Sequence, residues 1–380
     1  MNEKSVENVI AAVEHRDRIS HISISEIYGF ALQKLAAAMQ QPLPTLEYFL
    51  LQSYDESVPV LPEAFLGGSA PLLERFGLFG IPLPTFPKFI VSSTHIRDLF
   101  IDDIPHSGYI SPNSMVACLA ALPNLEDLSI HDIPHSASVP PNTMVACLAA
   151  LPNLEVLLIG FHFTLSLPPR ITLPRTRIVL PTLIDLSFSG DSEYFEDFAT
   201  QIDTPLLNEL HVTFFMDHIF DIPQLRHFVG CTERLKPLDQ ARMEFSDVNT
   251  LISVGLCHQT LLEIRYEGPD WQLSSIEQIF GQQLPLLSHV EQLQISQHHQ
   301  ENIERMDNPD MESSLWLELF HLFITLQRLY VSAKLVAPVA AALELTEGRT
   351  MEVLPALHSI FLEGLEPSGP VPEGINLTAI

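Results

Sequence analysis

Residues 102–130 and 131–159 are tandem copies of one segment, identical at 21 of 29 aligned positions. IPHSGYISPNSMVACLAALPNLEDLSI (104–130) is followed almost at once by IPHSASVPPNTMVACLAALPNLEVLLI (133–159). A fixed period of this length constrains the fold strongly, because so short a unit cannot bury its apolar face alone and has to stack on its neighbours. In the first copy Leu125, Leu128 and Ile130 follow the spacing L-x-x-L-x-L. That spacing describes a short strand whose alternate side chains point inward.

The template recurs along the chain. Matches end at Ile24, Leu51, Leu78, Ile101, Ile130, Ile159, Phe188, Val212, Met243, Tyr266, Ile295, Val331 and Leu362, the one at Met243 being the weakest. Successive spacings of 23 to 36 residues are too regular for a string of independent domains. Between strands the clearest segment is SPNSMVACLAAL. There Ser111 is placed to cap a helix, Pro112 suits its first position, and Met115, Cys118, Leu119 and Leu122 share a face at 3.6 spacing. The second copy repeats this with Val139 before Pro140 and Pro141, and with Met144, Cys147, Leu148 and Leu151 facing inward.

The fold class expected is therefore α/β: a right-handed leucine-rich-repeat-like solenoid, a horseshoe of the ribonuclease-inhibitor type. A parallel sheet would line its concave face and helices its convex face. About 13 repeats are expected over residues 1–365, with loop insertions at 161–181 and 296–314 and a Pro/Gly-rich C-terminal tail at 366–380. The first loop carries four prolines together with Arg170, Arg175 and Arg177, and the second is polar. Where many leucine-rich repeats place Asn or Cys just past the strand, this chain has Ile27, Ile81, Ile104, Ile133, Phe215 and Leu365. Its turns have to satisfy their backbone groups in another way.

Charge and chemistry narrow the function. The chain has 19 basic and 47 acidic residues, a net charge of −28, which repels phosphate backbones and anionic membranes, so neither nucleic acid nor membrane is an expected partner. No stretch approaches the roughly 18 uncharged apolar residues of a membrane span. The start, MNEKSVENVIAAVEHRDR, lacks the core of a signal peptide, so an intracellular location, cytoplasmic or nuclear, is expected. Four cysteines make no disulfide framework, and Cys118 and Cys147 occupy one repeat position as small buried hydrophobes.

His131 and His135 have a metal-pair spacing that Pro134 interrupts, and His298–His299 lies in a polar stretch. LGGSAP (66–71) lacks the frame of a phosphate loop and reads as a turn. There is no G-x-S-x-G, no H-E-x-x-H and no cysteine with an evident histidine partner. No catalytic residue, metal or cofactor is expected, and the chain reads as no enzyme; the competing class is an enzyme built on an inserted loop. The strand positions that alternate with the buried leucines place Tyr48, Arg75, Phe79, Asp98, Phe100, Asp127, Leu158, Arg242, Arg265, Arg328, Tyr330 and Phe361 on the concave face. They are the candidate contacts to a target protein, since aromatics and arginine anchor protein interfaces.

Longer motifs add a resemblance. YDESVPVLPEAFLGGSAP (54–71), IPHSGYISPNSMVACLAAL (104–122), SEYFEDFATQIDTPLLNEL (192–210), EGPDWQLSS (267–275), LWLELFHLFITLQRLYVS (315–332) and GRTMEVLPALHSIFLEGLEPSGPV (348–371) span most of the chain. With them it resembles basidiomycete fungal F-box proteins that carry leucine-rich-repeat-like C-terminal regions. The resemblance implies a repeat region that receives a target protein while an N-terminal F-box docks on a Skp-type adaptor of a cullin-RING ubiquitin ligase. This sequence opens directly in the repeat helix SVENVIAAVEH, with no F-box, so an adaptor is expected only for a longer form. The alternative is a stand-alone leucine-rich-repeat scaffold or regulator without a ligase link.

Overall fold

The computed structural model describes residues 3–55, 59–62, 64–82, 88–105, 112–133, 139–161, 177–215, 222–235, 239–246, 249–256, 259–267, 287–298, 313–344 and 353–363. They fall into two compact units, Met1–Leu207 and Asn208–Ile380.

The first unit is a sheet of strands β1 (His21–Ile24), β2 (Tyr48–Gln52), β3 (Arg75–Phe79), β4 (Asp98–Asp102), β5 (Asp127–Ile133), β6 (Val156–Phe161) and β8 (Asp185–Gly190). They lie in chain order, each parallel to the last. Two further short strands, β7 (Ile178–Val179) and β9 (Ile202–Asp203), pair with each other. Ile24, Leu51, Leu78, Ile101, Ile130, Ile159 and Phe188 meet side by side, and all are buried, as the repeat spacing requires. Two residues earlier, Phe49 and Phe76 meet in the same way, with rings stacked 5.7 Å apart.

What lies opposite the sheet differs from repeat to repeat. A spacing of 29 leaves room for the eight-residue helices α4 (Pro112–Leu119) and α5 (Pro141–Leu148), which pack against each other. The spacing of 23 that ends at Ile101 holds the shorter α3 (Lys88–Ser92), with α1 (Glu3–Val13) and α2 (Gly29–Ala38) preceding it. Met115, Cys118, Leu119 and Leu122 are buried, and so are Met144, Cys147, Leu148 and Leu151. Ser111, the expected cap, lies outside the described residues; α5 starts on Pro140 with no side-chain cap, and Pro141 occupies its first turn. LGGSAP does form a turn, with Gly67 at φ 59° and Gly68 at φ 69°.

The turns that lack asparagine are satisfied sideways. Ile27 N–H donates to Gln52 O, Ser53 N–H to Phe79 O, Gly80 N–H to Asp102 O and Asp103 N–H to His131 O, at 2.9–3.2 Å. Each turn thus hands its donor to the next repeat. Glu26, Gly80 and Asp103 take left-handed backbone to make this bend, and Ile27, Ile81 and Ile104 are buried behind it. The polar ladder between repeats sits at the other end of the strand, at x of the sequence LPxL. Thr45, Asn124, Asn153 and Thr182 each donate to a carbonyl of the preceding repeat, Thr182 to Leu154 O at 2.8 Å and Asn124 to Thr94 O at 2.8 Å.

The second unit corrects the all-parallel expectation. Its sheet runs β10 (Glu209–Phe215), β13 (Gln259–Glu267), β12 (Asn249–Leu256), β11 (Gln240–Ser246), β14 (Gln292–His298), β15 (Arg328–Ser332) and β16 (Ser359–Glu363). β12 is antiparallel to both β11 and β13, so the segment between Met243 and Tyr266 is a meander in reversed order where the repeat calls for a helix. The cause is local: Thr250, Ile252 and Val254 are buried while Leu251 and Ser253 are half-exposed, a period of two with β-branched residues. Val212 pairs with Ile264 and not with Tyr266, so the repeat position there falls two residues before the template match. Beyond the meander Met243, Ile295, Val331 and Leu362 do meet in parallel register. The helices Ser313–Phe320 and Val336–Glu344 pack together in this unit, with Trp316 fully buried against Phe245 and Phe320.

The two expected insertions are smaller at their described ends. Phe161 is buried at the end of β6 and Ile178–Val179 is paired, leaving 162–176 outside the described residues. Ser296–His298 belongs to β14, and 299–312 lies outside the described residues, as does the tail 366–380.

Candidate interaction face

Each sheet buries one face and leaves the other open, and the alternation of the strands decides which residues stand on the open side. In the first unit the leading row is His21, Tyr48, Arg75, Asp98, Asp127 and Asp185, with Val156 between the last two. The rings of His21 and Tyr48 stack at 5.9 Å. The guanidinium carbon of Arg75 lies 5.7 Å from the Tyr48 ring centre, and its Nε donates to Asp98 on the other side. One arginine is thus held between an aromatic ring and a carboxylate, and Asp98 is only 8% exposed. Burial holds the pKa of Asp127 above the ordinary carboxylate range, and Asp98, Glu155 and Glu126 push the same way against Arg75.

The second row is Leu50, Gly77, Phe100, Ser129, Leu158 and Ser187. At Gly77 a Cβ would stand 2.4 Å from Leu50 Cδ1, so a side chain there would displace the end of Leu50. Phe79, Asp102 and His131 form the third row, where His131 Nδ1 lies 3.6 Å from Asp102 Oδ1. Asp102 and His131 are the same position of the two tandem copies, so a residue that differs between the copies here lies beside its counterpart. The His131 ring rests over Gly160, where a Cβ would lie 2.3 Å from its Cδ2.

On the second unit, His211, Glu263, Ser253, Arg242, Gln294, Tyr330 and Phe361 make one row. Tyr330 and Phe361 stack at 4.6 Å and 12°. Arg242 pairs with Glu244, and Arg265 lies 3.6 Å from Glu263. Arg328 stands one step away in register with Gln292 and Ser359.

All twelve sequence-derived candidates therefore lie on an open sheet face: Tyr48, Arg75, Phe79, Asp98, Phe100, Asp127 and Leu158 in the first unit, Arg242, Arg265, Arg328, Tyr330 and Phe361 in the second. Tyr48, Arg75, Asp98 and Asp127 come together in one row; Arg242, Tyr330 and Phe361 share another. Selecting by anchor type passes over His21, Asp102, His131, Asp185, Glu244 and Glu263. The same alternation would have found them, because they have the same strand parity.

Elsewhere chemistry is sparse. Burial pushes the Cys118 and Cys147 thiols up, Cys147 to about 11. One histidine partner missed from sequence exists: on the helix Pro223–Cys231, Cys231 Sγ lies 3.7 Å from His227 Nε2 and 3.8 Å from Nδ1. Nearly equal distances to both ring nitrogens put the sulfur in line with neither lone pair, which is poor geometry for proton transfer. Among the described residues no group of three or more His, Cys, Asp or Glu is placed to hold a metal ion, and no helix is long and apolar enough to cross a membrane.

No protein-family model matches the chain, and no curated protein matches it. Among solved structures it is similar to the leucine-rich repeat-containing protein LegL7 from Legionella pneumophila, at 11% identity and a TM-score of 0.36, with 90% of each chain covered.

Proposed function

We propose that the chain is a leucine-rich-repeat-like scaffold that binds a target protein on its open sheet faces and has no catalytic activity of its own. The observation that carries this reading is the furnishing of those faces. Half-exposed Tyr48, Phe79, Phe100, Tyr330 and Phe361 stand among arginines and carboxylates, on rigid strands. Such a surface supplies aromatic anchors within a polar surround, the usual make-up of a protein interface.

The finer reading rests on the resemblance alone: the substrate-recognition region of an F-box type ubiquitin-ligase receptor, intracellular, which meets a Skp-type adaptor only in a form that carries an F-box. The alternative is a stand-alone scaffold or regulator. Affinity capture of the target by the full chain tests both. Phe100→Ala, Tyr330→Ala and Phe361→Ala should each weaken capture by about 1–2 kcal/mol. Capture unchanged by all three refutes the open-face reading. Adaptor and cullin recovered directly with this chain would refute its dependence on an added F-box.

A further inference from the structure

The last strand of the second unit ends its sheet uncovered. β16 stands at the end of the strand order and pairs with β15, and among the described residues no strand takes up the backbone groups of its outer edge. Its core-side residues are open too. Ala241, Leu293 and Leu329 are buried at matching positions of β11, β14 and β15, but their counterpart Ile360 is 47% exposed. Met243, Ile295 and Val331 are buried in the next such row, and Leu362 at its end is half-exposed. The apolar pattern of the repeat therefore runs one strand beyond the point where the core is closed.

The outer strand of the first unit, β1, is finished differently. Ile22 and Ile24 are each 8% exposed, and the chain ahead of them supplies α1, which packs on α2 with Val6 and Val13 buried. A stack of repeats needs a covering element of this kind at its ends. The sequence after β16 has the means to supply one. GLEPSGPVPEG (364–374) carries three glycines and three prolines and suits a connection. INLTAI (375–380) has neither, and alternates Ile375, Leu377 and Ala379 with Asn376 and Thr378, the period of a strand with one apolar face. The connection falls short of the dozen or so residues that a parallel return requires and is ample for an antiparallel one.

We propose that residues 375–380 pair antiparallel with the outer edge of β16 and turn Ile375, Leu377 and Ala379 inward over Ile360 and Leu362, closing the end of the second unit. Asn376 and Thr378 then stand on the open face beside Phe361. The cap also withdraws a bare strand edge from pairing with another chain. It holds whatever the open faces bind.

Hydrogen exchange followed by mass spectrometry on the full chain tests this. The amides of 375–380 should exchange at least about tenfold more slowly than those of an unstructured chain. Leu377→Asp puts a carboxylate on the inward face; it should abolish that protection and speed exchange in β16 about tenfold, leaving β11 and β14 unchanged. Asn376→Ser, of the opposite parity, should leave both segments as they are. Exchange of 375–380 at the unstructured rate in the parent, or protection that Leu377→Asp leaves intact, would overturn the proposal. So would an equal loss from both substitutions, since the segment would then have no inward face. Protection of β16 that rises with protein concentration, together with a dimer in sedimentation, would assign the edge to a second copy of the chain and overturn it as well.

Discussion

Replacing Thr182 by valine nearly preserves the side chain's shape and removes one hydroxyl. That hydroxyl reaches two carbonyls of the preceding repeat, Leu154 O at 2.8 Å and Pro152 O at 3.1 Å. A single proton serves both acceptors, so what is lost is one shared hydrogen bond, about 1 kcal/mol. Thr45 plays the same part between earlier repeats, reaching Ile19 O at 2.9 Å and Arg16 O at 3.2 Å. The two sites share no partner, so Thr45→Val and Thr182→Val should add, to about 2 kcal/mol in the double variant. For a unit of this size each kilocalorie lowers Tm by about 2–4 °C, so the double variant should melt about 4–8 °C below the parent. Guanidinium unfolding followed by circular dichroism should show a lower midpoint at an unchanged slope. A double variant that melts within about 1 °C of the parent would show that these hydroxyls do not tie repeat to repeat, and the reading of a polar ladder at the LPxL positions would fail.

Tyr194→Phe removes the hydroxyl that donates to Val139 O at 2.7 Å from a half-buried ring set against Phe161 and Phe188, and should cost about 1 kcal/mol in a denaturant titration. Ile252→Pro takes a donor from a strand paired on both sides, so the second unit should lose about 3 kcal/mol or more, read by hydrogen exchange across β11–β13. Among the described cysteines, Cys231 should react with a thiol reagent in the native state while Cys118 and Cys147 react only on unfolding. Because Cys147 is raised from 9.0 to about 11, its contribution to stability is complete below pH 9 and lost as pH climbs from 9 towards 11, which thermal melts over that range should record.

The strands were legible because leucine spacing reports which side chains turn inward, and that parity is all a strand needs. Even the match at Tyr266, two residues late, kept Arg265 on the correct face, since a slip of two preserves parity. β12 escaped for the opposite reason. It carries no leucine pattern of the repeat, and that β13 and not β11 settles beside β10 is a matter of tertiary pairing that no local period encodes. The candidate face was legible residue by residue, but not its contacts. That Arg75 lies between Tyr48 and Asp98 depends on the register between repeats of unequal length. Alternation tells where a side chain points and not whom it meets.

The meeting of Asp102 with His131 bears on how such an array can grow. In a parallel stack every position lies beside its own counterpart, so a copied repeat is pressed against its template. On the buried side this is harmless: Ile101, Ile130 and Ile159 line up, and like packs on like. On the open side a copied charge faces itself about one strand spacing away, as Asp98 faces Asp127. One position escaped by giving up its carboxylate between copies, Asp102 to His131, and then by losing its side chain altogether at Gly160, where the imidazole now rests. The core would accept a further faithful copy of residues 102–130, whereas the open face would oppose it with another aspartate beside Asp127. Elongation of this chain is therefore limited by its surface, and each new repeat has to differ from its parent where it is most exposed.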